Sequence, residues 1–371
     1  MSIISVIGLG FVGKAYLQAF SKKYLTYGVD VDDKKLEEMG QVIDGKCAGL
    51  INKNTDRYPE SDYYILCLPT DGSSTSSLDT SLVELCLKEV SIVNPQARII
   101  IKSTLPSGFC ASISESYPNL IYSPEFLRED SALFDVLNPD RIVVAGSKKN
   151  ATDVGELFNS ISTVQGDVFI TSFEEAELIK LGANSYLATR VAFFNELDSL
   201  CLSMGVRAKV VFDALCADSR IGNSYNNPSF GFGGYCLPKD TKALSLAMNS
   251  FELNLLSQVC HANDQRINFF VKLVLHKEYT RVGIYGTEMK THSSNSRASA
   301  SLELAKRLIA KGVEVYVYER SSKDRFPFLK YVNNREELAV QSEIIFANRI
   351  NVEDREYFGD MLISRDIYQI G

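Results

Sequence analysis

Cys236 lies in the run Phe230-Gly231-Phe232-Gly233-Gly234-Tyr235-Cys236-Leu237-Pro238-Lys239-Asp240, a composition that a protein core would not choose. Three glycines just ahead of the cysteine expose its thiol. Lys239 and Asp240 just after it make a polar, partly cationic setting that favours thiolate and nucleophilic catalysis. Lys180 and Asn184 are four residues apart and share one helical face. In an otherwise apolar stretch they are expected to point into a polar cleft, with a solvated surface pair as the plain alternative. Ser123-Pro124-Glu125-Phe126-Leu127-Arg128-Glu129 adds two carboxylates. The other seven cysteines (47, 67, 86, 110, 201, 216 and 260) form no CxxC pair and are expected to be reduced and buried. His261, His276 and His292 suit neither a zinc site nor a relay, so no metal is expected.

A second constellation opens the chain. Gly8, Gly10 and Gly13, with Phe11 and Val12 between them, form GxGxxG directly after a strand-like run, and Asp30 closes the next such run. The first glycine permits a tight turn, the second lets backbone approach a pyrophosphate, and the third allows close packing of helix on strand. Asp30 is suited to accept from ribose hydroxyls and to repel a 2′-phosphate, which favours NAD over NADP; Lys34 weakens that preference slightly. Thr70 and Thr104 follow two further strand-like runs and put hydroxyls at the carboxyl edge of the expected sheet, although such residues taken singly are more often loop caps.

These side chains need elements to hold them. Short β-branched runs at Ile3–Ile7, Leu25–Asp30, Tyr63–Leu68, Arg98–Lys102, Leu120–Tyr122 and Arg141–Ala145 alternate with helical stretches, the pattern of a parallel sheet with crossover helices. Ser172 and Glu175 stand at capping-box spacing, and a proline-free segment then runs to Met204, where Gly205 can end it. Its apolar residues spread around the circumference, so this long helix is expected to be buried on most sides, between domains or against a second subunit. Strand signals return at Val282–Tyr285, Val313–Tyr318 and Glu343–Ala347. The fold expected is α/β, two Rossmann-like α/β domains joined by a long central helix. The division expected is 1–171 for cofactor, 172–274 for the helical region and cysteine loop, and 275–371 for a smaller α/β domain. The 371 residues suffice for this, and a net charge of -7 argues against a nucleic-acid partner. No signal-peptide pattern opens the chain and no run reaches membrane-span length, so a cytoplasmic location without membrane contact is expected.

The motifs GLGFVG (8–13), STLPSG (103–108), SPEFLRE (123–129), FFNELD (193–198), YNNPSFGFGGYCLPKDTK (225–242) and EMK followed by SSNSRAS (288–299) occur in an order and spacing that resemble the UDP-glucose/GDP-mannose dehydrogenase family over nearly the whole chain. The resemblance implies NAD in the N-terminal domain, subunit pairing through the central helix into a homodimer, and a C-terminal domain holding the nucleotide of the sugar. It implies Cys236 as nucleophile, Lys180 and Asn184 steadying the oxygen on the reacting carbon, Glu129 and Asp240 in proton transfer and water activation, and Thr104 positioning the water. Positions matching substrate contacts are Glu125, Phe126, Leu127, Arg128, Glu129, Tyr225, Asn226, Asn227, Pro228, Ser229, Gly233 and Lys290, with Arg220 reaching the neighbouring subunit's substrate. Thr70, Thr104, Glu129, Lys239 and Arg297 match positions near the cofactor. Ser294 and Ser296 stand where relatives carry an aspartate and an aromatic residue, a departure within the nucleotide clamp.

The implied reaction is a four-electron oxidation, UDP-glucose to UDP-glucuronate, through a thiohemiacetal and a thioester on Cys236. The same chemistry on GDP-mannose or a UDP-N-acetylhexosamine is the nearest alternative. A two-electron hydroxyacid dehydrogenase would share the N-terminal fold, but Cys236 and a complete C-terminal domain argue against it. A non-catalytic nucleotide-sugar binder would have no need to keep Cys236, Lys180, Asn184 and Asp240 together.

Overall fold

The computed structural model describes residues 2–72, 78–234, 236–287, 299–319 and 326–369. The strands are β1 (Ile3–Ile7), β2 (Leu25–Asp30), β3 (Cys47–Asn52), β4 (Tyr63–Leu66), β5 (Arg98–Ile101), β6 (Leu120–Tyr122), β7 (Arg141–Ala145) and β8 (Asp167–Thr171), followed by β9 (Arg281–Tyr285), β10 (Glu314–Tyr318), β11 (Lys330–Val332), β12 (Ile344–Ala347) and β13 (Leu362–Ser364). The chain divides into two compact units, Met1–Gly182 and Ala183–Gly371.

In the first unit the strands form one sheet in the order β3-β2-β1-β4-β5-β6-β7-β8. Its pairs are parallel except for β6 with β7, which meet antiparallel at Tyr122 and Ala145. Helices cover both faces, so the central strands are mostly buried and apolar, with Ser5 and Arg98 the polar exceptions in β1, β4 and β5. Ile4, Val6, Phe20 and Ile65 belong to the core of one face, and Tyr64, Leu66, Val90 and Tyr122 to that of the other. The strand order reverses between β1 and β4, and the carboxyl ends of strands at such a switch point are where ligands of doubly wound sheets bind.

Two strands of this sheet were not expected from the sequence. β3 reads Cys-Ala-Gly-Leu-Ile-Asn, with no alternation to mark it, and exists because it can pair with β2. β8 is an edge strand with Val168, Phe169 and Ile170 exposed, so its apolar run reflects no core.

The long helix spans Phe173–Met204. Its capping box is formed: Ser172 N–H donates to Glu175 Oε2 at 2.7 Å and Glu175 N–H donates to Ser172 Oγ at 3.2 Å. Gly205, at φ 68°, ends it in the left-handed conformation that glycine adopts without strain. Leu181 and Phe194 are buried, whereas Leu178, Tyr186, Phe193, Leu200 and Met204 are exposed. Within one chain this helix therefore keeps an uncovered apolar side.

In the second unit a five-stranded parallel sheet has the order β11-β10-β9-β12-β13. Phe230, Phe270 and Phe346 pack edge to face in its core, with centroids 4.9 to 6.0 Å apart. β11 and β13 are three residues each, too short for periodicity to reveal. Both units carry α/β sheets of Rossmann-like order, joined by the long central helix.

Candidate active site

The glycine loop has the geometry its spacing predicts. Gly8 sits at φ 89°, and a Cβ there would lie 2.5 Å from the Cys67 carbonyl oxygen. A Cβ on Gly13 would lie 1.9 Å from the Gly8 carbonyl oxygen, so neither position accepts a side chain. At Gly10 a Cβ would meet nothing within 4 Å, and this residue starts the helix Phe11–Ser21 without a side-chain cap. Open backbone N–H groups at a helix N-terminus are what a pyrophosphate requires, so the loop fits a dinucleotide.

Asp30 is buried at the end of β2 and grips that loop. Its Oδ2 accepts from Leu9 N–H at 2.6 Å, and its Oδ1 accepts from Val31 and Asp32 N–H at 2.8 and 3.0 Å. Lys34 is exposed and its backbone N–H donates to Asp32; Lys35, which sequence reasoning passed over, brings its ammonium within 3.5 Å of Asp30. At the neighbouring strand ends, Thr70 Oγ1 donates to the Thr104 carbonyl at 2.9 Å. Ser103 Oγ accepts from Leu68 N–H and donates to its carbonyl, at 2.9 and 2.7 Å, which ties the loops after β4 and β5 together.

Glu125 and Lys180 form a buried ion pair at 2.7 Å, and Lys180 also donates to the Glu125 backbone carbonyl at 2.8 Å. Burial alone would raise the Glu125 pKa, but the Lys180 ammonium and the Leu127 N–H outweigh it and hold the carboxyl below its usual range. Glu129, by contrast, is exposed and opens a short 3-10 turn. Arg128 is exposed and pairs with Asp135. The structure places Glu125 against the helix lysine. Lys102, which sequence reasoning missed because it reads as the end of an ordinary strand, is buried beside this pair. It donates to Ser123 Oγ at 3.2 Å, and burial pushes its pKa down to about 7.

In the second unit Cys236 is the first residue of the helix Cys236–Asn249. Asp240, one turn on, is fully buried and accepts from Asn184 Nδ2 at 2.5 Å, while Lys239 Nζ lies 3.1 Å from its Oδ1. The preceding loop is clamped from several elements. Asn195 Oδ1 accepts from Ser229 N–H at 2.8 Å, Arg266 Nε donates to the Ser229 carbonyl at 2.9 Å, and Asn263 brackets Phe232 by bonds of 2.6 and 3.0 Å. Asn227 Nδ2 donates to Asp366 at 2.7 Å, Asn226 Nδ2 reaches Tyr368 Oη at 3.2 Å, and Arg349 donates to the Pro228 carbonyl at 3.1 Å. Two of the expected substrate positions thus spend an amide on the protein itself. Arg266 and Arg365 converge on Asp198, which is fully buried. Tyr225 and Arg220 are exposed, the latter paired with Asp218. Gly233 lies in the loop; Lys290, Arg297, Ser294 and Ser296 lie outside the described residues.

A glycine-cradled helix N-terminus at the switch point of a parallel sheet, with an acid closing the second strand, defines a dinucleotide-binding protein of the dehydrogenase type. Residues 2–162 match the model of the NAD binding domain of the UDP-glucose/GDP-mannose dehydrogenase family, and residues 174–265 match its central domain. The chain is 33% identical to the UDP-glucose 6-dehydrogenase of Campylobacter jejuni, with 98% of each chain aligned. It is also 33% identical to that of Streptococcus pneumoniae, over 98% of this chain and 99% of the relative. The solved UDP-glucose dehydrogenase of Pyrobaculum islandicum superposes with a TM-score of 0.88 at 24% identity, over 100% of this chain and 95% of that one. The chain belongs to the UDP-glucose/GDP-mannose dehydrogenase family, and NAD is its cofactor. Among the described residues no helix is long and apolar enough to cross a membrane.

Proposed function

We propose that the chain oxidises the primary alcohol of UDP-glucose to the carboxylate, through a thioester on Cys236. The observation that carries this reading is the placement of Cys236 at the start of the helix that, one turn later, presents Asp240 to Asn184 at 2.5 Å. The first turn of a helix stabilises an anion, which suits an attacking thiolate. Full 33% likeness to two UDP-glucose 6-dehydrogenases supports the choice of substrate.

When bound, NAD accepts a hydride in each of the two oxidations. Between them the Cys236 sulfur adds to the aldehyde carbon as a thiohemiacetal, so that no free aldehyde escapes, and loss of the second hydride leaves a thioester. Water adds to that carbonyl and the thiolate departs, giving the acid and restoring Cys236. Lys180 and Asn184, one turn apart on the long helix, steady the oxygen that carries charge at each stage. Asp240 and Glu129 serve proton transfer and water activation, and Thr104 positions the water. Glu125 supplies the countercharge for Lys180. Residues 125–129, 225–229, Gly233 and Lys290 contact the nucleotide sugar, and Thr70, Lys239 and Arg297 lie near the cofactor. The division into 1–171, 172–274 and 275–371 belongs to the same reading.

The active form is a homodimer paired along Phe173–Met204, where Leu178, Tyr186, Phe193 and Leu200 are exposed and a Cβ on Gly182 would meet nothing within 4 Å. Arg220 reaches the neighbouring subunit's substrate. The eight cysteines are free thiols, which suits a reducing, cytoplasmic location.

Supplied with NAD and UDP-glucose, the wild type is expected to form two NADH per sugar without releasing aldehyde. Cys236→Ala is expected to bind both ligands yet make no UDP-glucuronate. Near-wild-type acid production by Cys236→Ala would refute the thioester route, and activity confined to another nucleotide sugar would refute the substrate.

A further inference from the structure

Lys180 is the first unit's cationic contribution to the reaction, yet its ammonium is matched by a carboxylate of its own, Glu125, at 2.7 Å. A cation fully neutralised by a buried partner is a weak stabiliser of a developing oxyanion, because the pair presents a dipole instead of a charge. A second buried ammonium stands beside the pair. β5 and β6 run parallel with Ile101 level with Tyr122, so the residues just past this register, Lys102 and Ser123, emerge together at the carboxyl edge of the sheet. Lys102 Nζ donates to Ser123 Oγ at 3.2 Å, and Glu125 is two residues further along the same segment.

The pocket around Lys102 is aromatic. Its ammonium lies 4.6 Å from the ring centroid of Tyr16 on the helix Phe11–Ser21 and 4.3 Å from that of Phe158 on the helix Lys148–Ile161. It is 3% exposed. Among the described residues the titratable groups facing it are Cys67 after β4, Glu125 after β6 and Lys180 on the long helix. Burial raises the Cys67 thiol to about 12 and the Tyr16 phenol well above its usual range, so both are neutral near pH 7. Among the described residues Glu125 is thus the anion facing Lys102; Lys180 pairs with it directly, and Lys102 acts on it through its field without an ion pair.

We propose that Lys102 is a positioning residue for the oxidation: as a second buried ammonium beside the Glu125–Lys180 pair it leaves the Lys102–Glu125–Lys180 cluster with a net positive charge, and so allows Lys180 to stabilise the oxygen on the reacting carbon. Lys102 touches neither substrate nor cofactor in this scheme. Its contribution exists while it is protonated and vanishes when it is neutral. Burial places that transition at about 7, well below the ordinary lysine value. The inference rests on the role given to Lys180 under the proposed function.

Lys102→Met tests it, because methionine matches the stem of lysine and suits a pocket lined by two rings. The quantity to follow is the ratio of kcat for wild type to kcat for Lys102→Met with UDP-glucose and NAD from pH 6 to pH 8.5. The expected ratio is about tenfold at pH 6, the effect of one charge acting through a partly screened interior, and falls towards one at pH 8.5, where the wild-type lysine is itself neutral. A merely structural role would give a ratio independent of pH, and that result, or a ratio of one throughout, overturns the proposal. Lys102→Arg, which stays charged, is the second variant and decides the matter if the methionine variant fails to fold. Its kcat relative to wild type is expected to rise with pH through the same range, and a flat relative rate overturns the proposal equally. A wild type inactive on UDP-glucose would instead refute the assigned reaction, and with it the role of Lys102 in that reaction.

Discussion

The side-chain amide nitrogen of Asn227 donates to the carboxylate of Asp366 at 2.7 Å, and the Ile367 N–H returns a bond of 3.2 Å to Asn227 Oδ1. A segment beyond the last strand thereby fixes the loop that leads to Cys236. Asp366→Ala removes the acceptor and frees the loop. KM for the nucleotide sugar is expected to rise roughly tenfold, the worth of one hydrogen bond to a charged group, while NAD affinity stays at the wild-type value. Steady-state kinetics with a separate NAD titration check this; equal losses for both ligands would show a global defect.

Asp30 combines two duties, as it grips the glycine loop through Leu9 N–H and is placed for the ribose of the cofactor. Asp30→Ala is expected to weaken NAD by at least about tenfold and to relax discrimination against NADP, since both an acceptor and a repulsive charge disappear. Cofactor titrations of the variant would show it, and an unchanged NAD-to-NADP preference would remove Asp30 from the site.

Lys102 also has a stability consequence. Its pKa is held down to about 7 in the folded chain against 10.5 in the unfolded one, so between those values the unfolded state carries the extra proton and stability rises with pH. The penalty for burying the ammonium is full below pH 7 and gone above about 10.5. Lys102→Met has no such term. Its stability advantage over wild type is expected to be near its full size at pH 7, on the order of a few kcal/mol, and to shrink by pH 10. Urea midpoints of both proteins at the two pH values measure it, and a constant difference would contradict the buried charge.

Phe193 and Tyr186 project from the uncovered side of the long helix. Replacing both by aspartate places two charges where the proposed dimer would bury apolar rings, so the dimer seen by light scattering at micromolar concentration is expected to give way to monomer. A wild type that is already monomeric would end this reading.

The spacing of residues in the chain determined those features whose physics is local. GxGxxG after a strand and Asp30 after the next specify a turn, a helix N-terminus and an acid beside it, because each depends on backbone conformation within a few residues. The same holds for the long helix, whose start at Ser172 and Glu175 is a contact three residues apart and whose end is one left-handed glycine. What only the tertiary structure decided concerns burial and distant pairs. β3 has no periodic signature and is a strand because β2 lies beside it. Glu125 and Glu129 look alike in sequence, yet packing buries the first against Lys180, 55 residues away, and leaves the second exposed. Lys102 reads as a polar residue at a strand end until Tyr16 and Phe158 close over it, and nothing near Asn227 in the chain announces that Asp366, 139 residues on, holds its amide. Chain spacing sets which dihedrals are easy, but the dielectric around a charge and the partner of an amide are set by whichever elements the folded core brings alongside.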